Sequence, residues 1–303
     1  MNWHPPLVEP ETVLSLHRIS TTFEKPVMPE NSTRANIQKA IGATDSVALS
    51  YSTTDSDGTD APVVLLHGLF GSSRNWQSIA QELSDQRTVY SLDQRNHGNS
   101  PHTDSHSLYD MVADLHRWHN DHLSNKAIYV GHSMGGLAVM ALALIYPELV
   151  EKLVVVDIAP RNYAPHHDLE FQALEMDVSG FNSRSEIDAA MAKIHPVAAV
   201  RKFLQMNLER DKEGYRWAIN VLPLKNAAYL SGFQESFPEL TFEGPTLVVK
   251  GQNSDYIQES DRPLFSRYFP SSRLVELKGA DHWLHYSAQK AFIETLRAFL
   301  ENG

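Results

Sequence analysis

Hydrophobic positions along the chain follow two periods. Val47, Leu49 and Tyr51 alternate with polar residues, the period-two pattern of a half-exposed strand. After them come six short apolar runs, PVVLLHG, TVYSLD, AIYVGHS, LVVVDIAP, TLVVKGQ and RLVELKGADH, each bounded by polar or glycine-containing stretches. Short runs rich in Val, Ile and Leu suit strands that are buried on both faces of a parallel sheet. Between them the spacing becomes helical. Trp76, Ile79, Ala80 and Leu83 fall on one helical face, as do Leu108, Met111, Val112 and Leu115, the latter opened by Ser107 and Asp110 as a capping box. Leu137 to Ile145 is apolar all round and predicts a buried central helix, while Phe292, Leu296 and Phe299 mark a final one. Strand alternating with helix predicts an α/β fold with a mostly parallel sheet, flanking helices and right-handed crossovers.

Two stretches depart from this rhythm. Residues 1–45 carry Pro5, Pro6, Pro10, Pro26 and Pro29 with no sustained period, which reads as an irregular N-terminal arm. Residues 158–244, between LVVVDIAP and TLVVKGQ, show helical patterns and no convincing strand from Asp168 through Phe233. An insertion between two late core strands predicts a helical cap over the carboxyl ends of the sheet. The expected division is therefore arm 1–45, core 46–157 and 245–303, and cap 158–244.

Composition narrows the functional classes. With 303 residues and 42% apolar side chains, the chain can bury a large core and is not a disordered one. Its 26 Lys+Arg against 37 Asp+Glu leave a net charge of -11, which repels nucleic acid and anionic membrane and makes a small molecule the expected partner. The absence of cysteine excludes disulfides, thiolate metal sites and a thiol nucleophile, so covalent catalysis must use oxygen or nitrogen. The opening MNWHPPLVEPETVL lacks the basic start and apolar stretch of a secretory signal, and Glu9 and Glu11 precede Arg18, unlike a transit peptide. No apolar run reaches the roughly 18 residues of a membrane span. The expected location is cytoplasmic.

The strongest chemical signal is Gly131-His132-Ser133-Met134-Gly135, a G-x-S-x-G placed between a strand and a helix. This is the nucleophile elbow of the α/β-hydrolase fold, in which small flanking residues allow a strained turn that exposes the serine at the head of a helix. A serine hydroxyl needs a base. Of the 15 histidines, His282 follows the last predicted strand and precedes the final helix, in a loop reaching the same sheet edge as the elbow; His285 is the alternative. Two aspartates compete to orient it. Asp157 ends the strand expected beside the nucleophile strand, about 4.8 Å away, and Asp255 follows the next strand. Either gives the order serine, acid, histidine. The oxyanion donors expected are the backbone N–H of Met134 and that of Leu69 in HGLFG, with Phe70 the second choice.

VVLLHGLFGSSRNW, SLDQRNHGNSPH, VGHSMGG, VVVDIAP and GADHWLH, spread from about residue 46 to the end, together resemble the αβ-hydrolase-domain-11 and bacterial YbfF-like esterases. That resemblance implies that the aspartate of D-I-A-P, Asp157, is the acid, with Ser254 in the next loop supporting His282. It also implies hydrolysis of esters and thioesters of short to medium acyl groups without any cofactor, and leaves a mitochondrial location open. The runner-up activity is acyl transfer to an alcohol, and a receptor on the same fold with no catalysis is the reading from another class.

Other histidines read as structural. His116, His119 and His122 stand three apart on a helix, so their rings fan out by about 60° per step instead of converging on a metal. His166, His167 and Asp168 suggest a loop and helix cap, and Arg95, Asn96 and His97 a hydrogen-bonded turn.

Overall fold

The computed structural model describes residues 34–164, 166–227 and 232–301. Its strands are β1 (Tyr51–Thr54), β2 (Val63–Leu66), β3 (Val89–Leu92), β4 (Ala127–His132), β5 (Val150–Val156), β6 (Leu208–Arg210), β7 (Tyr215–Trp217), β8 (Thr246–Gly251) and β9 (Ser272–Leu277). The helices are α1 (Arg34–Gly42), α2 (Gln77–Leu83), α3 (Leu108–His122), α4 (Met134–Ile145), α5 (Asp168–Leu174), α6 (Arg184–Met191), α7 (Ala198–Leu204), α8 (Val221–Lys225), α9 (Phe233–Ser236), α10 (Arg262–Tyr268), α11 (Leu284–Ser287) and α12 (Gln289–Glu301).

Seven strands form one sheet in the order β1-β3-β2-β4-β5-β8-β9, with β1 antiparallel to β3 and the other pairings parallel. The six apolar runs supply its parallel strands. Helices cover both faces of this sheet because its central strands are apolar on both sides. Val64, Leu66 and Tyr129 pack with α3 and α4, and Val63, Leu65, Ile128 and Val130 pack with α2 and α12. Every residue of α4 is buried, as an all-apolar helix requires. Ser107 caps α3 by accepting the Asp110 N–H, and the Asp110 carboxylate accepts the Ser107 N–H in return.

Three expectations need correction. The arm of 1–45 is not irregular throughout: residues 1–33 lie outside the described residues, but 34–42 form α1. Ile37 and Ile41, one turn apart, bury themselves against α3 and α4, and Arg34 and Gln38 donate to the Leu144 and Ile145 carbonyls. The first strand starts at Tyr51 and not at Val47, because the Val47 N–H is taken by the Asp114 carboxylate instead of a neighbouring strand. The interval between β5 and β8 does contain strands, the antiparallel pair β6 and β7. They turn at Gly214, whose φ of +127° suits glycine, and three residues each are too few to show an alternation.

Candidate active site

The sheet delivers three side chains to one end. Ser133 follows β4 and heads α4, Asp157 follows β5, and His282 lies in the loop after β9. Strands β4 and β5 run side by side with His132 opposite Val156, so Ser133 and Asp157 leave neighbouring strands at the same level, and the Ser133 N–H donates to the Val156 carbonyl.

Ser133 sits at φ 52°, a conformation that costs a non-glycine residue on the order of 1–3 kcal/mol. The glycines around it make the turn sterically possible. A Cβ on Gly131 would stand 2.2 Å from the Gly135 carbonyl oxygen, and one on Gly68 would stand 2.8 Å from the His132 ring. Asp157 (φ 54°) and Phe70 (φ 63°) are also in left-handed geometry, so backbone strain gathers around one site.

The Asp157 carboxylate is fully buried and accepts from three donors. Oδ1 takes the Gly251 N–H at 2.9 Å, while Oδ2 takes the Ser254 hydroxyl and His282 Nδ1 at 2.8 Å. A buried carboxylate with this donor set needs no cation to offset its desolvation. With its proton on Nδ1, the His282 ring keeps a lone pair on Nε2. Three further groups fix the ring. Tyr256 stacks on it with centroids 3.8 Å apart, His132 Nε2 donates to the His282 carbonyl at 2.8 Å, and Ser254 accepts the Tyr256 N–H. Tyr163 accepts the Ala159 N–H and donates to the Tyr256 carbonyl, so the chain after β5 pins the loop after β8.

The rival residues lie elsewhere. Asp255 is exposed to solvent. His285 is buried and stacks on Trp76 with centroids 4.8 Å apart, and burial drives its pKa down to about 3.

Leu69 and Phe70 follow β2 beside the elbow. The Phe70 N–H donates to His97 Nε2 at 3.3 Å, and the Phe70 carbonyl accepts from Asn207 at 2.8 Å, a residue of the β5–β8 insertion. His97 can accept because its Nδ1–H donates to the Arg95 carbonyl, and burial pushes its pKa well below the ordinary value, which keeps the ring neutral. His67, also held neutral by burial, donates to the Gly68 carbonyl and accepts the Gln94 N–H. Two neutral imidazoles thus clamp the loop. The Phe70 amide is committed to His97, whereas Met134, first residue of α4, has no intrahelical acceptor for its N–H.

A cavity of about 260 Å³ joins Leu69, Phe70, Ser133 and His282 on the sheet side with Glu170 and Phe203 of the insertion. His166 and His167 line it too, and His166 Nε2 lies 2.6 Å from the Tyr256 hydroxyl, so these two rings do more than the helix-cap reading of the sequence assigned them. That reading also missed His132, His97, Tyr256 and Asn207. His132 stood inside the elbow motif and His97 in a run recognised as a hydrogen-bonded turn, neither with the contact seen here; Tyr256 and Asn207 carry no local signal, since each acts through a partner distant in sequence.

His116 stacks on Tyr146, His119 bonds the Tyr129 hydroxyl, and His122 meets Tyr51 edge-on, three separate environments. Among the described residues, no group of three or more His, Asp or Glu side chains is arranged to hold a metal ion, and no helix is long and apolar enough to cross a membrane.

Comparison with known proteins gives a consistent result. The family model described as alpha/beta hydrolase fold matches residues 61–289. The sn-1-specific diacylglycerol lipase ABHD11 of Danio rerio is 37% identical over 84% of this chain and 83% of its own length. Esterase YbfF of Escherichia coli is 33% identical over 82% of this chain and 97% of its own. Among solved structures, a marine microorganism esterase superposes with a TM-score of 0.79 at 37% identity, covering 84% of this chain and 99% of that one.

Proposed function

Because the chain belongs to the alpha/beta hydrolase fold family and resembles its ABHD11 and YbfF branch, we propose that it hydrolyses carboxylic esters or thioesters of short to medium acyl groups. One observation carries the reading: His282 donates to the buried Asp157 carboxylate while lining one cavity with Ser133 at the head of α4. The Ser133 hydroxyl attacks the acyl carbonyl as His282 Nε2 takes its proton. Negative charge moves onto the carbonyl oxygen, where the Met134 and Leu69 N–H groups receive it. His282 then gives the proton to the departing alkoxide or thiolate, leaving an acyl group on Ser133. Water attacks that ester with His282 again as base, and collapse of the second oxyanion frees the acid and returns the proton to Ser133. Asp157 holds the His282 tautomer that this cycle needs, Ser254 supports Asp157, and residues 158–244 act as the cap that closes the cavity. No step calls for a metal or organic cofactor.

A panel of esters and acyl-CoA thioesters, with and without added alcohol, tests the reading. The expected product is the free acid, and Ser133→Ala should lower turnover by several orders of magnitude in a folded protein. Near-normal turnover in that variant contradicts the serine mechanism, product ester in place of acid makes the protein an acyltransferase, and no turnover of any substrate makes it a receptor.

A further inference from the structure

A second cavity, of about 290 Å³, lies directly against the first. Phe203 and Trp283 belong to the walls of both, their ring centroids 5.7 Å apart, so two half-buried aromatic rings form the partition. Helix α7 presents Ala199 and Phe203, four residues apart, to the second cavity, which Met206, Tyr286 and His285 also line; burial lowers the His285 pKa to about 3 and so keeps that ring uncharged. The polar atoms of Asn75 are already used there: Oδ1 accepts the Ser72 N–H, and Nδ2 points to the Met206 sulfur. Lys202 at its edge is exposed, as a long cationic side chain is when its stem lies on apolar surface and its head stays in water. Among the described residues, no carboxylate lines the space. Its walls are mostly apolar and carry no charge apart from the exposed Lys202 head, so they suit hydrocarbon.

We propose that this second cavity receives the far end of a substrate's hydrocarbon chain, with Phe203 as the residue that sets how much of the chain enters. The inference rests on the ester-hydrolase reading of Ser133. A chain attached to a carbonyl held at Ser133, once longer than the first cavity, must either return to water or pass the Phe203–Trp283 partition. Passing is favoured, because each methylene moved from water into apolar surroundings strengthens binding by roughly a factor of four. The chain belongs either to the acyl group or to the alcohol of the ester, and the two sources share the same chemistry.

The test is the ratio of kcat/KM for a decanoyl ester to that for a butyryl ester of one phenol, with a matching series of acetate esters of butanol and decanol. Two variants act in opposite directions. Ala199→Trp, at an exposed helical position, fills the second cavity and should lower the long-to-short ratio by about tenfold or more, the worth of two or more methylenes. Phe203→Ala removes the partition and should raise it by a comparable factor. The series in which the ratio moves identifies the acyl or the alcohol chain as the occupant. Ratios that stay within about twofold of the parent protein in both series and both variants, while butyrate is still released in a Ser133-dependent reaction, overturn the inference and leave the proposed function standing. Failure to cleave any ester removes the proposed function and the inference together.

Discussion

Three donors converge on the Asp157 carboxylate, and the effect of taking away one of its oxygens can be worked out bond by bond. In Asp157→Asn, the amide oxygen can keep the Gly251 N–H, which turns the NH2 toward Ser254 and His282. The Ser254 hydroxyl can rotate. The imidazole can only offer a lone pair on Nδ1, which moves its proton to Nε2 and removes the base. Under the proposed mechanism Asp157→Asn should cost on the order of 10⁴ in kcat, by analogy with other triads, whereas Asp255→Asn, at an exposed position, should cost less than about tenfold. Steady-state kinetics at matched folded concentration decide it, and a severe loss in Asp255→Asn beside a mild one in Asp157→Asn would place the acid on the later loop. At this scale the sequence was informative about position where a residue ends a strand: it put Ser133 after one central strand and Asp157 after the next, but it left Asp157 and Asp255 both open until the family resemblance chose between them. It was silent where a role depends on a partner far along the chain. Nothing near Tyr256 says that it stacks on His282, and nothing near Asn207 says that it reaches the Phe70 carbonyl.

Among elements, the central strands and long helices were legible because burial imposes an unbroken or periodic apolar pattern over many residues. The run AIYVGHS must be a strand between two others, since β4 is buried along its length, and the capping box at Ser107 marks the start of α3 in the residues themselves. Short elements were not legible. Helix α1 shows only Ile37 and Ile41 as buried apolar anchors, and Arg34 and Gln38 tie it to the rest of the fold by donating to the carbonyls that end α4. Isolated helices of that length are marginal, so tertiary contacts decide where they form. The β6–β7 pair is shorter still, and its partner strand, not its composition, makes it a strand. The position of the Phe70 loop likewise depends on elements on both sides, with His97 before α3 and Asn207 in the β5–β8 insertion.

For the whole molecule, the buried imidazoles make stability depend on pH. Burial lowers the pKa of both His106 and His285 to about 3 from the ordinary 6.5. Above 6.5 both folded and unfolded chains hold these rings neutral. Below it the unfolded chain takes up protons that the folded chain refuses, so stability is lost progressively as pH falls from 6.5 toward 3. Between about pH 7 and about pH 5 each such ring should cost about 2 kcal/mol. Urea unfolding at the two pH values should show the loss, and His285→Phe, which keeps an aromatic ring beside Trp76, should reduce it by about that amount; an equal loss in parent and variant would contradict this assignment. Under the proposed mechanism Ser133 alone does the chemistry, and labelling with a fluorophosphonate followed by peptide mass mapping checks this. One adduct per chain is expected, on Ser133, with ester hydrolysis falling in proportion to labelling and no adduct in Ser133→Ala. An adduct on a different residue, or hydrolysis that persists in fully labelled protein, would contradict it.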